Sequence, residues 1–279
     1  MGLVGKVTEY SIDIRSIALS PHSWLRKMRL WIRLAAFAAG FRGNKILGYK
    51  VTHFGGKTLA FLYREIFARQ CYQFEARTER PFIVDCGANI GMAVLYFKWL
   101  YPDSLVWAFE PEPQAFLALQ QNVAHNHLTN VSAHNVALWD RDGQLDIFVP
   151  GNAPGCLVTS ANPVRRGGTP VNVRCVRLSS YIEREVDFLK VDVEGAELHV
   201  IQDLAASGKL GLIRQMVIEY HHNIPTEPAA LSRLLRYLED AGFTYQVSAV
   251  SFPLVGPAHF QDVLIGAVRV GASPTVYDG

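Results

Sequence analysis

No C-x-x-C spacing occurs in this 279-residue sequence; its four cysteines, Cys71, Cys86, Cys156 and Cys175, stand apart. That spacing argues against a zinc site, and Cys86, set in an apolar stretch, reads as a small hydrophobe in a reducing, cytoplasmic setting. An excess of one charge sign is also missing, since the formal net charge is +2. Bulk electrostatics therefore give no reason to expect a nucleic acid or another polyanion as partner. The first residues lack an apolar core segment and carry Glu9 and Asp13, so a secretory signal is not expected. Gly2 does not open a myristoylation pattern, because Lys6 stands where Ser or Thr is needed. A membrane-length apolar run is lacking too: the nearest one, residues 23–40, is broken by Arg26, Lys27, Arg29 and Arg33. On a helix, Trp24, Met28, Trp31, Ala35 and Ala38 share one face and Arg26, Arg29 and Arg33 another. Such a basic amphipathic helix is expected to pack on the main domain, with peripheral membrane contact or partner docking as the alternative.

What is present is ordinary globular composition, 49% hydrophobic and 19% charged, in a pattern that alternates strands and helices. A helical N-terminal extension over 1–75, a candidate lid, includes a stretch around 58–72, and the polar run at 75–80 marks the boundary of a domain over 76–279. Strands are expected at 82–86, 105–110, 131–136, 187–192, 213–220, 243–247 and 263–268. Helices are expected at 91–100, 113–125, 196–206 and 228–241, which together describe an α/β fold with a parallel sheet. Short strands at 144–149 and 171–176 flank a Gly/Pro-rich loop at 150–170. In such sheets ligands bind outside the carboxyl ends of the strands.

Acidic residues gather at those strand ends. Asp85 precedes Gly87 and Gly91, a spacing unlike the G-x-G-x-x-G of dinucleotide sites, and its carboxylate would repel a pyrophosphate. It would attract an amine while free helix N–H groups received a carboxylate, so a zwitterionic amino-acid moiety such as that of S-adenosylmethionine suits both. Glu110 closes the second strand, where an acid can accept both hydroxyls of a ribose, and Glu112 falls in the first turn of the next helix. Asn135, Val136 and Ala137 end the third strand beside the expected adenine, with the alternatives that Val136 is core and Asn135 a backbone-bonding turn residue. Asp192 and Glu194 share a side at the fourth strand's end; Glu194 and Glu197 also read as helix-start charges. Glu219, His221 and Asn223 alternate onto one face at the end of the fifth strand, with His221 a candidate general base.

The stretches "FIVDCGANIG", "AFEPEP", "LKVDVEGAE" and "IEYH", in this order, resemble the FkbM-type family of S-adenosylmethionine-dependent methyltransferases over roughly residues 58–268. The resemblance implies a class I, Rossmann-like methyltransferase fold, seven-stranded and mainly parallel with an antiparallel final strand. It also implies O-methylation of a sugar, polyketide-like or related hydroxyl-bearing metabolite. On it, Asp85, Gly87, Ala88, Asn89 and Gly91 match the cofactor loop, Glu110 the ribose acid, and Asp192 and Glu194 the "DVEG" motif. His221 or Glu194 is then the expected base, with Asp192 and Glu219 placing the cofactor end and the acceptor. The lack of a [DN]-P-P-[FYW] motif favours oxygen over nitrogen as acceptor atom, and Arg165 and Arg166 would suit a phosphate-bearing acceptor. Asp192, Glu194, Glu219 and His221 are chemically able to hold a divalent metal, but no spacing is diagnostic and none is assigned. A nicotinamide-dependent oxidoreductase and a non-catalytic binding protein on this fold are the rival readings.

Overall fold

A computed structural model describes residues 45–149, 168–224, 230–249 and 261–271. The amphipathic helix expected at 23–40, Cys156, the Arg165–Arg166 pair and the start of the helix expected at 228–241 lie outside these residues. The chain divides into two compact units, Met1–Gln73 and Phe74–Gly279.

In the first unit, β1 (Lys45–Ile46) and β2 (Tyr49–Lys50) pair antiparallel through a turn at Leu47 and Gly48, both at positive φ. Helix α1 (Gly56–Tyr63) passes into one π-helical turn, Arg64–Ala68, where Tyr63 stacks on Phe67 and Glu65 bridges Arg64 and Arg69. The helical stretch expected to reach residue 72 thus stops short, and Gln70 takes a positive φ of 56° that an α-helix does not tolerate.

The second unit is built on β3 (Phe82–Cys86), β4 (Leu105–Phe109), β5 (Val131–His134), β9 (Val186–Val191), β10 (Ile213–His222), β11 (Phe243–Ala249) and β12 (Gln261–Arg269). Their order is β11-β12-β10-β9-β3-β4-β5, with β12 antiparallel to both neighbours and the pairs from β10 through β5 parallel. This is the class I methyltransferase arrangement, and the connection reverses direction between β3 and β9. The crossovers include α2 (Met92–Leu100), α3 (Pro113–His125), α4 (Glu197–Ala206) and α5 (Leu231–Asp240).

Alternation assigns the two faces of the central strands. Val84, Cys86, Leu189 and Val191 join Val200, Ile201 and Leu204 of α4 and Leu234 and Leu238 of α5 in one core. Phe188 faces the other way and meets Phe74 and Phe97 of α2. Asp85, Lys190 and Asp192 follow that second face by the same period of two. At the opposite end of the sheet, Asp187 accepts from the Phe82 amide and pairs with the buried Arg214, tying β3, β9 and β10 together.

The strand expected over 131–136 is divided. β5 stops at His134, and β6 (Ala137–Trp139) leaves the main sheet to pair parallel with β8 (Thr169–Arg177), which also pairs antiparallel with β7 (Gly143–Val149). β10 runs two residues past its expected end, carrying His221 and His222 into antiparallel pairing with Asp262 and Gln261.

Gly87 follows β3 at φ 82°, and a Cβ built there would stand 1.7 Å from the Asp192 carbonyl oxygen. Gly87→Ala should therefore cost more than the roughly 1–2 kcal/mol of a left-handed conformation alone. The melting temperature is expected to fall by about 2–4 °C for each kcal/mol lost, measurable by calorimetry.

Candidate cofactor and active site

The loop after β3 is held by its own surroundings. Gly87 and Ala88 donate to the Phe109 carbonyl, Asn89 donates to Glu110 Oε2 at 2.7 Å, Ile90 donates to Asn89 Oδ1, and Gly91 donates to the Ala88 carbonyl. All five of these loop amides have protein partners, so a ligand carboxylate that uses free N–H groups would meet the first turn of α2 and not the loop itself. Asn89 takes a φ of 47°, and Asn122 of α3 donates to the Ile90 carbonyl from beneath.

The expectation for Asp85 is corrected. Its side chain is 0% exposed, so it cannot meet a ligand amine directly; its Oδ1 lies 3.1 Å from Lys190 Nζ. Register explains the pairing, since Asp85 and Lys190 are direct neighbours across β3 and β9. The ammonium also donates to the Gly87 carbonyl at 2.8 Å and reaches Asp192 Oδ2 at 3.3 Å. Burial pushes the Asp85 carboxyl up and Lys190 pulls it back. Burial opposes the charge on Lys190, but Asp85 and Asp192 outweigh it and hold the amine above the ordinary lysine range. Lys190 was not read from the sequence, although its place two residues before Asp192 was a signal for a shared face.

At the end of β4, Glu110 Oε1 accepts from the Glu112 amide at 2.9 Å while Oε2 holds Asn89. Each oxygen keeps a further lone pair. Burial raises this carboxyl to about 7 against the pull of those two amides. Glu112 is the N-cap of α3, accepting from Gln114 and Ala115. Asn135 donates its side-chain amide to the Glu110 and Pro111 carbonyls, the turn-stabilising role weighed as an alternative. Ala137 packs its methyl among Ile147, Val173 and Cys175 of the smaller sheet, and Val136 and Leu138 are core.

The ends of β9 and β10 carry the remaining groups. Asp192, with a side chain 22% exposed, Glu219 and His221 place ligand atoms within 4.8 Å of one another. The alternation expected for Glu219 and His221 is observed. Two carboxylates and an imidazole could hold a divalent cation, but Asp192 already meets Lys190 and the imidazole already meets two acids, so no metal is assigned. His221 is only 2% exposed: Nδ1 lies 2.8 Å from Glu197 Oε1, and Nε2 lies 3.2 Å from Glu194 Oε2 and 3.8 Å from Asp262 Oδ1. Glu197, read from sequence only as a helix charge, is fully buried and accepts from the Gly195 and Val193 amides of the turn before it. Burial opposes its charge, yet His221 and those contacts hold the carboxyl below the usual range. Glu194 adopts a φ of 56° in this turn, with Gly195 at 109°. Asp192, followed by burial, pushes Glu219 up to about 7.

Raised acids destabilise the native state once they ionise. For Glu110 and Glu219 the folded values lie near 7 against 4.5, so their contribution is complete below about pH 4.5 and lost as pH rises through about 7. Urea unfolding of the unliganded protein should show a higher midpoint at pH 5.5 than at pH 8, and Glu219→Gln should flatten part of that slope.

Residues 85–245 match the model of the methyltransferase FkbM domain. Methyltransferase sdnD of Sordaria araneosa is 34% identical over 216 residues, spanning 66% of this chain and 81% of that protein. The 31-O-demethyl-FK506 methyltransferase FkbM of Streptomyces tacrolimicus is 28% identical over 230 residues, 71% of this chain and 86% of that protein. The 2-O-methyltransferase NoeI of Sinorhizobium fredii is 29% identical over 157 residues, 50% of this chain and 61% of that protein. With the strand order and the acid-lined strand ends already in place, the chain belongs to the FkbM family of methyltransferases.

Proposed function

We propose that the protein is an S-adenosylmethionine-dependent O-methyltransferase acting on a hydroxyl of a small metabolite or glycan. The observation that carries this reading is the pair of carboxylates flanking the glycine loop. Glu110 is clamped by two amides with lone pairs to spare, and Asp192 stands part-exposed across the switch point. Glu110 would accept the two ribose hydroxyls. Asp192, rather than Asp85, would receive the amine, and Gly87, whose missing Cβ leaves room for the Asp192 carbonyl, would let that strand end close on the loop. Ala88, Asn89 and Gly91 shape that loop, while Asn135 and the Ala137 backbone border the adenine side. Oxygen as acceptor atom is supported by two relatives, the 31-O-demethyl-FK506 methyltransferase of Streptomyces tacrolimicus and the 2-O-methyltransferase of Sinorhizobium fredii. A cytoplasmic setting is supported by the buried, reduced thiols of Cys86 and Cys175.

When bound, S-adenosylmethionine supplies an activated methyl group: the oxygen–carbon bond forms as the carbon–sulfur bond breaks, and the electron pair stays on sulfur. The protein must align the acceptor, exclude water and take the hydroxyl proton. Exposure favours Glu194 of the two candidate bases, because its side chain is 20% exposed and that of His221 only 2%. Glu194 therefore takes the proton, His221 fixes Glu194 through Nε2, and Glu197 fixes His221 through Nδ1. Glu219 and Asp192 keep the neighbouring space negative, which suits a cationic ligand group.

Calorimetric titration of the wild-type protein with S-adenosylmethionine tests the cofactor. Glu110→Ala removes charge-assisted hydrogen bonds worth about 1.5–3 kcal/mol each, so affinity should fall roughly tenfold or more in a folded variant. Hydroxyl-bearing metabolites screened for a one-methyl mass gain identify the acceptor. With it, Glu194→Gln should lower turnover by about 10²–10⁴-fold with little change in cofactor affinity. Near wild-type turnover would show that alignment alone drives the reaction.

A further inference from the structure

We infer that Lys190 is a positioning residue for the amino-acid end of the cofactor, orienting Asp192 from below; this rests on the reading of Asp192 as the group that receives the ligand's amine. Lys190 is itself 3% exposed and cannot be a ligand contact of any extent. Its ammonium sits among four oxygens that belong to the two strand exits bordering the switch point. These are Asp85 Oδ1 at 3.1 Å, Asp192 Oδ2 at 3.3 Å, the Gly87 carbonyl at 2.8 Å and the Cys86 carbonyl at 3.4 Å. Two of them are backbone atoms of the glycine loop and its lead-in, so one cation joins that loop to the end of β9.

The charges explain why such a cation is needed. Asp85 is fully buried, and Asp192 and Glu219 repel one another at the adjacent strand ends. Without Lys190 three acids would share one end of the sheet, and the cheapest response is to protonate or turn away the one with room to move, which is Asp192. With Lys190 in place, Oδ2 of Asp192 is held inward and the carboxylate keeps a fixed orientation toward the open side. Asp85 is then a counter-ion for Lys190, and its influence on a ligand passes through that lysine to Asp192.

A purely structural role would weaken every ligand of the site alike, whereas the positioning role touches only the amino-acid end. S-adenosylmethionine and 5′-methylthioadenosine separate the two, because the second carries the adenosine and thioether without the amino-acid portion. Lys190→Met should lower S-adenosylmethionine affinity about tenfold or more, the loss expected when one charge-assisted contact goes. Affinity for 5′-methylthioadenosine, held at the Glu110 end, should stay within about twofold.

Lys190→Met leaves Asp85 buried and unpaired, so the double variant Asp85→Asn/Lys190→Met is measured beside it. Thermal stability should return in the double variant while S-adenosylmethionine affinity stays low. In an Asp192→Asn background, removing Lys190 should cost no more than about twofold further, because the path through Asp192 is already broken. Equal loss of both ligands, full recovery of S-adenosylmethionine affinity in the double variant, or additive losses with Asp192→Asn would each overturn the inference. Failure of the wild-type protein to bind S-adenosylmethionine would instead overturn the proposed function, and this inference with it.

Discussion

A single buried ammonium organises the centre of this molecule. Lys190 lies between Asp85 and Asp192 and donates to the Gly87 carbonyl, so the loop after β3 and the end of β9 share one cation. Burying charges is expensive, and the expense is met only where opposite charge and hydrogen bonds surround them. Here β3 and β9 are adjacent parallel strands whose crossovers depart in different directions, which opens a crevice and points carbonyls toward it. The ion pair lies between those two strands, at the switch point. Gly87 above it has no room for a side chain, because the Asp192 carbonyl occupies the place a Cβ would take.

The carboxylates around the crevice differ in how they are held, and that decides what each can do. Glu110 is fixed by amides from its own strand exit and from the glycine loop, which leaves each oxygen a further lone pair. Glu112, two residues on, spends its acceptors on the start of α3. Glu197 is wrapped by the turn that precedes it and turned onto His221, which in turn meets Glu194. The positive φ of Glu194 is the conformational cost of that arrangement. It brings a β9–α4 turn residue onto a β10 histidine and leaves its carboxylate part-exposed. A methyltransferase of this family thus presents one end ordered by backbone amides and another ordered by a chain of side chains.

The seven-stranded class I order with its antiparallel β12 was implied by the resemblance to the family. Sequence alone was enough for the alternation of strands and helices and for the acids at the strand ends. Each of these rests on local signals: apolar periodicity, a helix cap, or a glycine where a strand turns into a helix. Helix 113–125 was legible to the residue, although Glu112, read into its first turn, is in fact its N-cap, with Pro113 opening the helix. The break between His134 and Ala137 was not, because a continuous apolar pattern does not reveal that β6 changes sheets.

Tertiary structure alone decided which polar atoms are spent. The exit of β4 consumes the amides of Gly87 and Ala88, and cross-strand register sets Lys190 against Asp85, removing from ligand contact an acid that sequence placed first. Burial likewise left His221 less exposed than Glu194, and only the fold of the 193–196 turn made Glu197 its partner. The sequence determined the residue types, their spacing and so the faces they share, because period two and period 3.6 are local properties of the chain. Partnership and exposure depend on strands and turns far apart in sequence, and no local pattern carries that information.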